Sequence, residues 1–360
     1  MPFVQSRFAT LIGQKLDAEE SAHIPELTPA LARKLIERID SVRLFAHAYT
    51  MLGNFTYGSF HPCDLLDHAY RHELDGICIH LLDGEERSLG QMSDSQLREV
   101  AAHASRLGLD VHLEISSTRR PDVDEVVRIA RIMAVEHIRV YSRYEGLLSE
   151  VMKRVEADLR YLAELADRHS LHFYFEQHEE LKSAEIVDLL RTVGHPRLHA
   201  LFDFGNMINA CESPMSALRQ LAPYIGQVHM KGVRILKEGD GFGHRGVLQG
   251  SADDDLPGAR MLFELLMLGE SKPQIVAFAL EQENHYYAPM FRRMSEADDP
   301  FIPYREMSET GIPGGLSKET LLEQEPRWAF NQIRYVRSLL LRLRELADLR
   351  LQMAGTASGC

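Results

Sequence analysis

Residues 171–178 of this chain read LHFYFEQH, an almost continuous apolar run that reaches a carboxylate at Glu176. The same arrangement recurs at LFDFGN (201–206), QVHMKG (227–232) and FALEQEN (278–284). Short apolar runs of this kind are typical of strands that are buried on both faces of a parallel sheet. Each stretch therefore predicts a buried strand with a polar side chain at or near its carboxyl end.

Eight such strands are predicted along the chain. They are Val42–Ala48, Gly76–Leu81, Asp110–Ile115, His137–Ser142, Leu171–Glu176, Leu198–Asp203, Gly226–Lys231 and Ile275–Glu281. Most of their starts lie about 30 residues apart, which is the length of one βαβ unit, and amphipathic segments fill the intervals. This repeat predicts an α/β fold, a closed (β/α)8 TIM barrel. An open doubly wound sheet is the alternative, which the lack of a Gly-x-Gly-x-x-Gly motif after the first strand disfavours.

The 360 residues exceed the length of about 250 that such a barrel needs. We assign residues 1–40 to an N-terminal helical extension and residues 41–350 to the catalytic barrel domain. A long insertion, residues 284–326, follows strand eight, and long segments of this kind are usually functional or take part in subunit contacts. Residues 351–360 end in a small, polar sequence and are expected to form a disordered tail.

Composition excludes several classes of protein. Hydrophobic residues make up 45% and charged residues 26%, which is typical of a globular domain. The net charge of −13 disfavours nucleic acid as a partner. The four cysteines form no Cys-x-x-Cys pair, which fits a reducing compartment. Because the sequence also has neither a signal-like N-terminus nor an apolar run of membrane-spanning length, we expect a cytoplasmic protein that does not bind membranes.

Four consecutive predicted strands carry Glu176, Asp203, His229 and Glu281 at or near their carboxyl ends. In a TIM barrel these ends meet at one rim, where active sites form. Any one of these residues alone would more often be a helix cap, a salt-bridge partner or a core histidine, but the joint pattern predicts a site for one divalent metal ion. An oxygen-rich set with one imidazole favours Mn²⁺, Mg²⁺ or Co²⁺ over Zn²⁺. Glu283 is a rival to Glu281, because it points to the same side of the strand.

These four stretches, together with VLQGSADDDLPG at 247–258, resemble the xylose isomerase-like superfamily of sugar isomerases and epimerases. That superfamily includes D-tagatose 3-epimerase, hydroxypyruvate isomerase and inosose dehydratase. The resemblance implies that Glu176, Asp203, His229 and Glu281 bind the metal and that the two glutamates are also the catalytic acid–base pair. It further implies an isomerase or epimerase of a small sugar or polyol ketone, which acts through a metal-stabilised enediolate.

Other polar residues near the strand ends are predicted to contact the substrate. They are His178, Asn206, Lys231, His80, Glu114, Arg234 and Glu283. Three positions depart from the family pattern. Asn206 stands where the epimerases have histidine, Gly232 follows Lys231 where many members have aspartate, and Arg234 is one residue out of register with the family arginine.

Three other functions remain open at this point. A metal-dependent lyase could dehydrate an inosose or a dehydroshikimate-like acid after the same proton abstraction. An abasic-site endonuclease would need three zinc ions and more strand-end histidines, and the acidic net charge opposes it. A barrel that binds a ligand without turnover is the non-enzymatic alternative. The expected partner is a small sugar-like molecule, and we expect a homo-oligomer, either a dimer or a tetramer.

Overall fold

The computed structural model describes residues 2–304 and 315–357. Its helices are α1 (Pro2–Ile12), α2 (Ala18–Ser21), α3 (Pro29–Asp40), α4 (Leu52–Tyr57), α5 (Pro62–Arg71), α6 (Asp94–Leu107), α7 (Arg120–Met133), α8 (Leu148–His169), α9 (Ser183–Val193), α10 (Pro214–Leu221), α11 (Gly258–Met267) and α12 (Lys318–Ala357). Its strands are β1 (Leu44–His47), β2 (Gly76–His80), β3 (Asp110–Glu114), β4 (His137–Val140), β5 (Gly146–Leu147), β6 (His172–Glu176), β7 (Leu198–Asp203), β8 (Ile225–Met230), β9 (Gly232–Glu238), β10 (Gly241–Val247), β11 (Ala277–Leu280), β12 (Tyr287–Ala288) and β13 (Phe301–Ile302).

Eight strands close into a parallel barrel in the order β1-β2-β3-β4-β6-β7-β8-β11, and β11 pairs with β1. The pairing of Leu44 with Phe278 and of Phe45 with Ala279 completes the circle. The predicted TIM barrel is therefore confirmed. Each predicted strand corresponds to one barrel strand, although most of the observed strands are shorter by one or two residues at an end.

The helices form where the sequence supplies both an apolar face and good ends. At the start of α6, Ser93 accepts a hydrogen bond from the Gln96 amide, and the Gln96 side chain accepts one from the Ser93 amide. The same helix stops at Gly108, whose φ of 69° is left-handed and strongly favours glycine. The buried faces of the helices and the outer faces of the strands share one hydrophobic core that surrounds the barrel.

Both ends of the described chain are helical. Helices α1 to α3 form the N-terminal extension, and α1 and α3 pack against α11 and α12. Helix α12 has 40 residues and continues to Ala357. The expected disordered tail is therefore wrong for residues 351–357, which add two turns to this helix, and residues 358–360 lie outside the described part of the chain. No helix in the described ranges is both long and apolar enough to cross a membrane.

The insertion after strand eight crosses the carboxyl rim of the barrel. Its short strand β12 extends the β9–β10 hairpin, and β13 pairs with β5 beyond strand β4. Between them, the buried Arg292 guanidinium pairs with Glu185 and Glu296 at 3.0 and 2.8 Å. These contacts fix the segment across the mouth of the barrel. Residues 305–314 of the insertion lie outside the described residues, and residues 318–326, which were predicted to belong to it, are the start of α12.

Candidate metal centre and active site

The barrel brings the four predicted metal ligands together at its carboxyl rim. Glu176 and Asp203 are the last residues of β6 and β7, His229 is the penultimate residue of β8, and Glu281 directly follows β11. All four side chains are buried. Ligand atoms of Glu176, Asp203 and His229 lie within 4.8 Å of one another. The His229 Nδ1 atom is 3.5 Å from Glu281 Oε1, and ligand atoms of His229, Glu281 and His47 form a second group of the same size that shares His229 with the first.

Each of the four residues also has one buried side-chain atom that makes no hydrogen bond. These atoms are Glu176 Oε2, Asp203 Oδ2, His229 Nδ1 and Glu281 Oε2. The three oxygens have only ion-pair contacts, with Lys231 or Arg139, and His229 Nδ1 faces the carboxylates of Glu176 and Glu281. Three carboxylate oxygens and one imidazole nitrogen without hydrogen bonds in one cluster are a suitable donor set for a divalent metal ion.

Two cationic side chains, Lys231 and Arg139, flank this cluster. The sequence analysis predicted only Lys231 at the site. Lys231 Nζ lies 3.0 Å from Asp203 Oδ2 and 3.4 Å from Glu281 Oε2. Arg139 Nε, on strand β4, lies 3.2 Å from Glu176 Oε2. These cations offset part of the repulsion among the buried carboxylates. A divalent ion would offset more of it.

The contacts of Lys231 distinguish Glu281 from Glu283 as the candidate metal ligand that follows the eighth barrel strand. Glu283 Oε2 accepts a hydrogen bond of 2.8 Å from Lys231 Nζ. Glu281 instead directs Oε1 towards His229, at 3.5 Å, and its Oε2 lies farther from Lys231 Nζ, at 3.4 Å. The geometry therefore favours Glu281 as the strand-eight ligand and assigns Glu283 to the ammonium group of Lys231.

Burial and the neighbouring charges shift the protonation equilibria of the cluster. Burial raises the pKa of Glu176 to about 8, although Arg139 opposes this shift. Burial likewise raises the pKa of Glu281, which Lys231 opposes. For Asp203, burial is outweighed by the cation of Lys231 and by His229, so its pKa is lowered. Burial lowers the pKa of His229 to about 4, so this ring is neutral and keeps a free lone pair for a metal at neutral pH.

A cavity of about 490 Å³ opens above the cluster. Six of the seven predicted substrate contacts line it: His80, Glu114, His178, Asn206, Lys231 and Glu283. Glu176 and Glu281 form part of its floor, and Tyr49, Leu52, Tyr57 and Tyr286 contribute apolar surface to its lining. The volume and the mixed lining are typical of a small-molecule site.

One wall of this cavity is α4, and the last helix holds it in place. The Glu325 carboxylate of α12 accepts hydrogen bonds from the Gly53 and Asn54 amides at 2.7 and 2.8 Å. Leu52 and Tyr57 of the same short helix line the cavity.

Arg234 is the exception among the predicted contacts. It lies on β9, its side chain is exposed, and it pairs with Asp253 at 3.5 Å on the surface. Strand β9 begins at Gly232 and forms a hairpin with β10. Successive side chains of a strand point to opposite faces, so the buried Val233 points inward and Arg234 points to the solvent.

Arg139, Tyr141 and Arg143 are among the cavity-lining residues that the sequence analysis did not predict. The Tyr141 ring stacks on His178 with centroids 3.9 Å apart and planes 7° apart. Arg139 left a visible signal, because an arginine within the run HIRV of a buried strand requires a charged partner nearby.

The chain belongs to the family of xylose isomerase-like TIM barrels, whose family model matches residues 66–269. It is 42% identical over 317 residues to the uncharacterized protein YihM of Escherichia coli (strain K12), a match that covers 88% of this chain and 97% of that protein.

Two solved structures share its fold. One is a xylose isomerase-like TIM barrel protein from Mycobacterium smegmatis in complex with magnesium, with 12% identity, a TM-score of 0.53, and coverage of 86% of this chain and 99% of that one. The other is D-psicose 3-epimerase in the presence of D-fructose, with 13% identity, a TM-score of 0.52, and coverage of 78% and 94%.

Proposed function

We propose that this protein is a divalent-metal-dependent isomerase or epimerase of a small sugar or polyol ketone. One observation carries the proposal: Glu176 and Glu281 both line the cavity and approach His229 Nδ1 from strands that are separated by two others, at 3.8 and 3.5 Å. Two carboxylates on either side of a common point suit a reaction in which one group removes a proton and the other returns it.

Glu176, Asp203, His229 and Glu281 would hold the ion. When bound, a divalent ion supplies positive charge that stabilises the negative oxygen of an enediolate. The magnesium in the Mycobacterium smegmatis structure supports this choice of cofactor. The substrate class is supported by the resemblance to D-psicose 3-epimerase with D-fructose.

The side chains of the protein itself perform the proton transfers. One glutamate removes the proton from the carbon next to the carbonyl group. If the other glutamate delivers a proton to the opposite face of that carbon, the product is an epimer; delivery to the neighbouring carbon gives an isomer. Arg139 and Lys231 hold the two carboxylates in place during both steps. Each such acid–base group contributes about 10²–10⁴-fold to the rate.

Loss of a β-hydroxyl group after the first proton transfer would instead make the protein a lyase, and the test must separate these outcomes. Protein stripped with EDTA and reloaded with Mn²⁺, Mg²⁺ or Co²⁺ is incubated in D₂O with a panel of ketoses, including D-fructose, and cyclic ketones. Proton NMR then follows deuterium incorporation next to the carbonyl group. Absorbance of a conjugated enone would identify dehydration and contradict the isomerase proposal.

Matched variants locate the chemistry. Glu176→Gln and Glu281→Gln are each expected to lower the exchange rate at least about 100-fold. Glu180→Gln is the control, because Glu180 is also a buried glutamate but belongs to neither group of possible metal ligands. Unchanged exchange in both glutamate variants would refute the mechanism. We also propose that the protein is cytoplasmic and forms a homo-oligomer. Light scattering would measure the size of the assembly, and cell fractionation would test the location.

A further inference from the structure

Glu114 was predicted to contact the substrate, but its surroundings indicate a different role. Its carboxylate is almost completely buried, with 1% of the residue exposed. Oε1 receives hydrogen-bond contacts from His229 Nε2 at 3.1 Å and His47 Nε2 at 3.2 Å. Oε2 accepts from Arg139 Nη2 at 2.6 Å and is 3.1 Å from His47 Nε2. Both oxygens are therefore occupied by nitrogen donors.

These contacts fix which nitrogen of each histidine carries the proton. The ionised Glu114 carboxylate can only accept, so His229 must carry its proton on Nε2 and leave Nδ1 bare towards Glu176 and Glu281. His47 accepts the Tyr49 amide on Nδ1 at 3.1 Å, so its proton is also on Nε2. His47 is then a donor, with Nε2 3.4 Å from Glu281 Oε1, and it is not available as a metal ligand.

We infer that Glu114 is the positioning residue of the metal centre and holds three of its four ligands through three donors. It acts on His229 directly, on Glu281 through His47, and on Glu176 through the Arg139 guanidinium, whose Nε is 3.2 Å from Glu176 Oε2. Neither substrate binding nor metal binding uses its own oxygens. This inference rests on the proposed function, because it assumes that the four residues bind a divalent ion.

A partner of this kind affects metal affinity without touching the metal. A carboxylate that accepts the second N–H of a ligating histidine fixes its orientation and increases its basicity, and its loss typically lowers metal affinity 10–100-fold. In Glu114→Gln, we expect the single amide oxygen to stay with the charged Arg139 guanidinium, because it cannot accept from both Arg139 and His229. The amide N–H₂ that then faces His229 favours a bare Nε2 and a proton on Nδ1, which is the nitrogen that faces the cluster.

The test uses the full-length protein, stripped with EDTA, and Mn²⁺ alone as the probe. Isothermal titration calorimetry is expected to show that Glu114→Gln binds Mn²⁺ about 10–100-fold more weakly than the parent protein, whereas Glu180→Gln binds it equally well. Nitrogen-15 NMR of the metal-free protein is expected to place the His229 proton on Nε2 in the parent and on Nδ1 in Glu114→Gln. A purely structural role for Glu114 would leave this tautomer unchanged.

The outcomes separate this inference from the proposed function. If the parent protein binds Mn²⁺ and Glu114→Gln keeps both the affinity and the tautomer, the inference is overturned and the function stands. If the parent protein binds no divalent ion, the proposed function fails first, and the tautomer in the metal-free protein still tests Glu114. If Glu114→Gln does not fold, a proton on Nδ1 of His229 in the parent protein overturns the inference, and a proton on Nε2 supports it.

Discussion

Replacing Lys231 by methionine tests the electrostatics of the centre directly. The ammonium group lies 3.0 Å from Asp203, 2.8 Å from Glu283 and 3.4 Å from Glu281, and only 2% of the residue is exposed. Methionine keeps most of the length of the side chain and removes its charge. The variant therefore leaves three buried carboxylates without their shared cation.

The size of the effect follows from these distances. Two unit charges 3.0 Å apart attract each other by about 5 kcal/mol at an effective dielectric constant near 20. The cost of removing the ammonium group from water offsets part of this attraction. Breaking a buried ion pair by deleting one partner typically costs about 3–5 kcal/mol, and we expect a loss of that size in the free energy of unfolding.

Urea unfolding of metal-free protein measures this loss. Lys182→Met is the matched control, since Lys182 pairs with Glu296 at a site where 28% of its side chain is exposed, and a pair of that kind is worth about 1 kcal/mol or less. Saturating Mn²⁺ should return more stability to Lys231→Met than to the parent protein, because the ion replaces a missing positive charge. A Lys231→Met protein that is as stable as Lys182→Met would refute the reasoning.

Three further predictions concern stability. Burial raises the pKa of Glu180 to about 8, so folding takes up a proton between the ordinary pKa and that value, and stability falls as the pH rises through this window. Relative to the parent protein, the free energy of unfolding of Glu180→Gln should therefore rise by up to about 1.4 kcal/mol per pH unit between pH 5 and 8. If urea unfolding gives the same difference between the two proteins at every pH, this prediction is wrong. A Cβ atom at Gly76 would collide with the Asp110 carbonyl oxygen and the Phe45 ring, so Gly76→Ala should lower the free energy of unfolding by about 1–3 kcal/mol. An unchanged midpoint of urea unfolding would contradict this prediction. Arg292→Ala removes the buried ion pairs of the insertion and should speed proteolysis within residues 285–304, whereas an unaltered cleavage pattern would show that other contacts hold the segment.

The barrel could be predicted from the sequence because its signal is local and repeated. A strand that is buried on both faces must be apolar along its length, and the run that ends at Glu176 shows this without any knowledge of its neighbours. The position of a residue at a strand end then fixes its place on the rim. This is why Glu176, Asp203, His229 and Glu281 could be grouped before their distances were known.

The contacts inside the centre could not be predicted in the same way. Glu114 is visible as a strand-end carboxylate, but its partners His47 and His229 come from β1 and β8, and only closure of the barrel brings them together. Arg234 shows the opposite error. Its position one residue from the family arginine suggested that Arg234 contacts the substrate, whereas the pleat of β9 turns its side chain outward.

The end of the tail was also misjudged. The tail from Met353 to Cys360 looks small and polar by composition, yet the established helix continues through it to Ala357. Extending a helix costs little once its nucleus has formed, because each further residue adds a hydrogen bond.

The hydrogen bonds between Glu325 and the amides of Gly53 and Asn54 have a consequence for synthesis of the chain. A ribosome completes the eighth barrel strand at Leu280 and the last proposed ligand one residue later, well before it reaches Glu325. Because domains form progressively as the chain emerges, the barrel strands are available to pair while α4 still lacks its anchor. A product that terminates shortly after residue 283 would therefore keep all eight strands and the proposed ligands but would have a loose wall around its cavity. Synthesis of α12 is thus the step that fixes the α4 wall of the cavity.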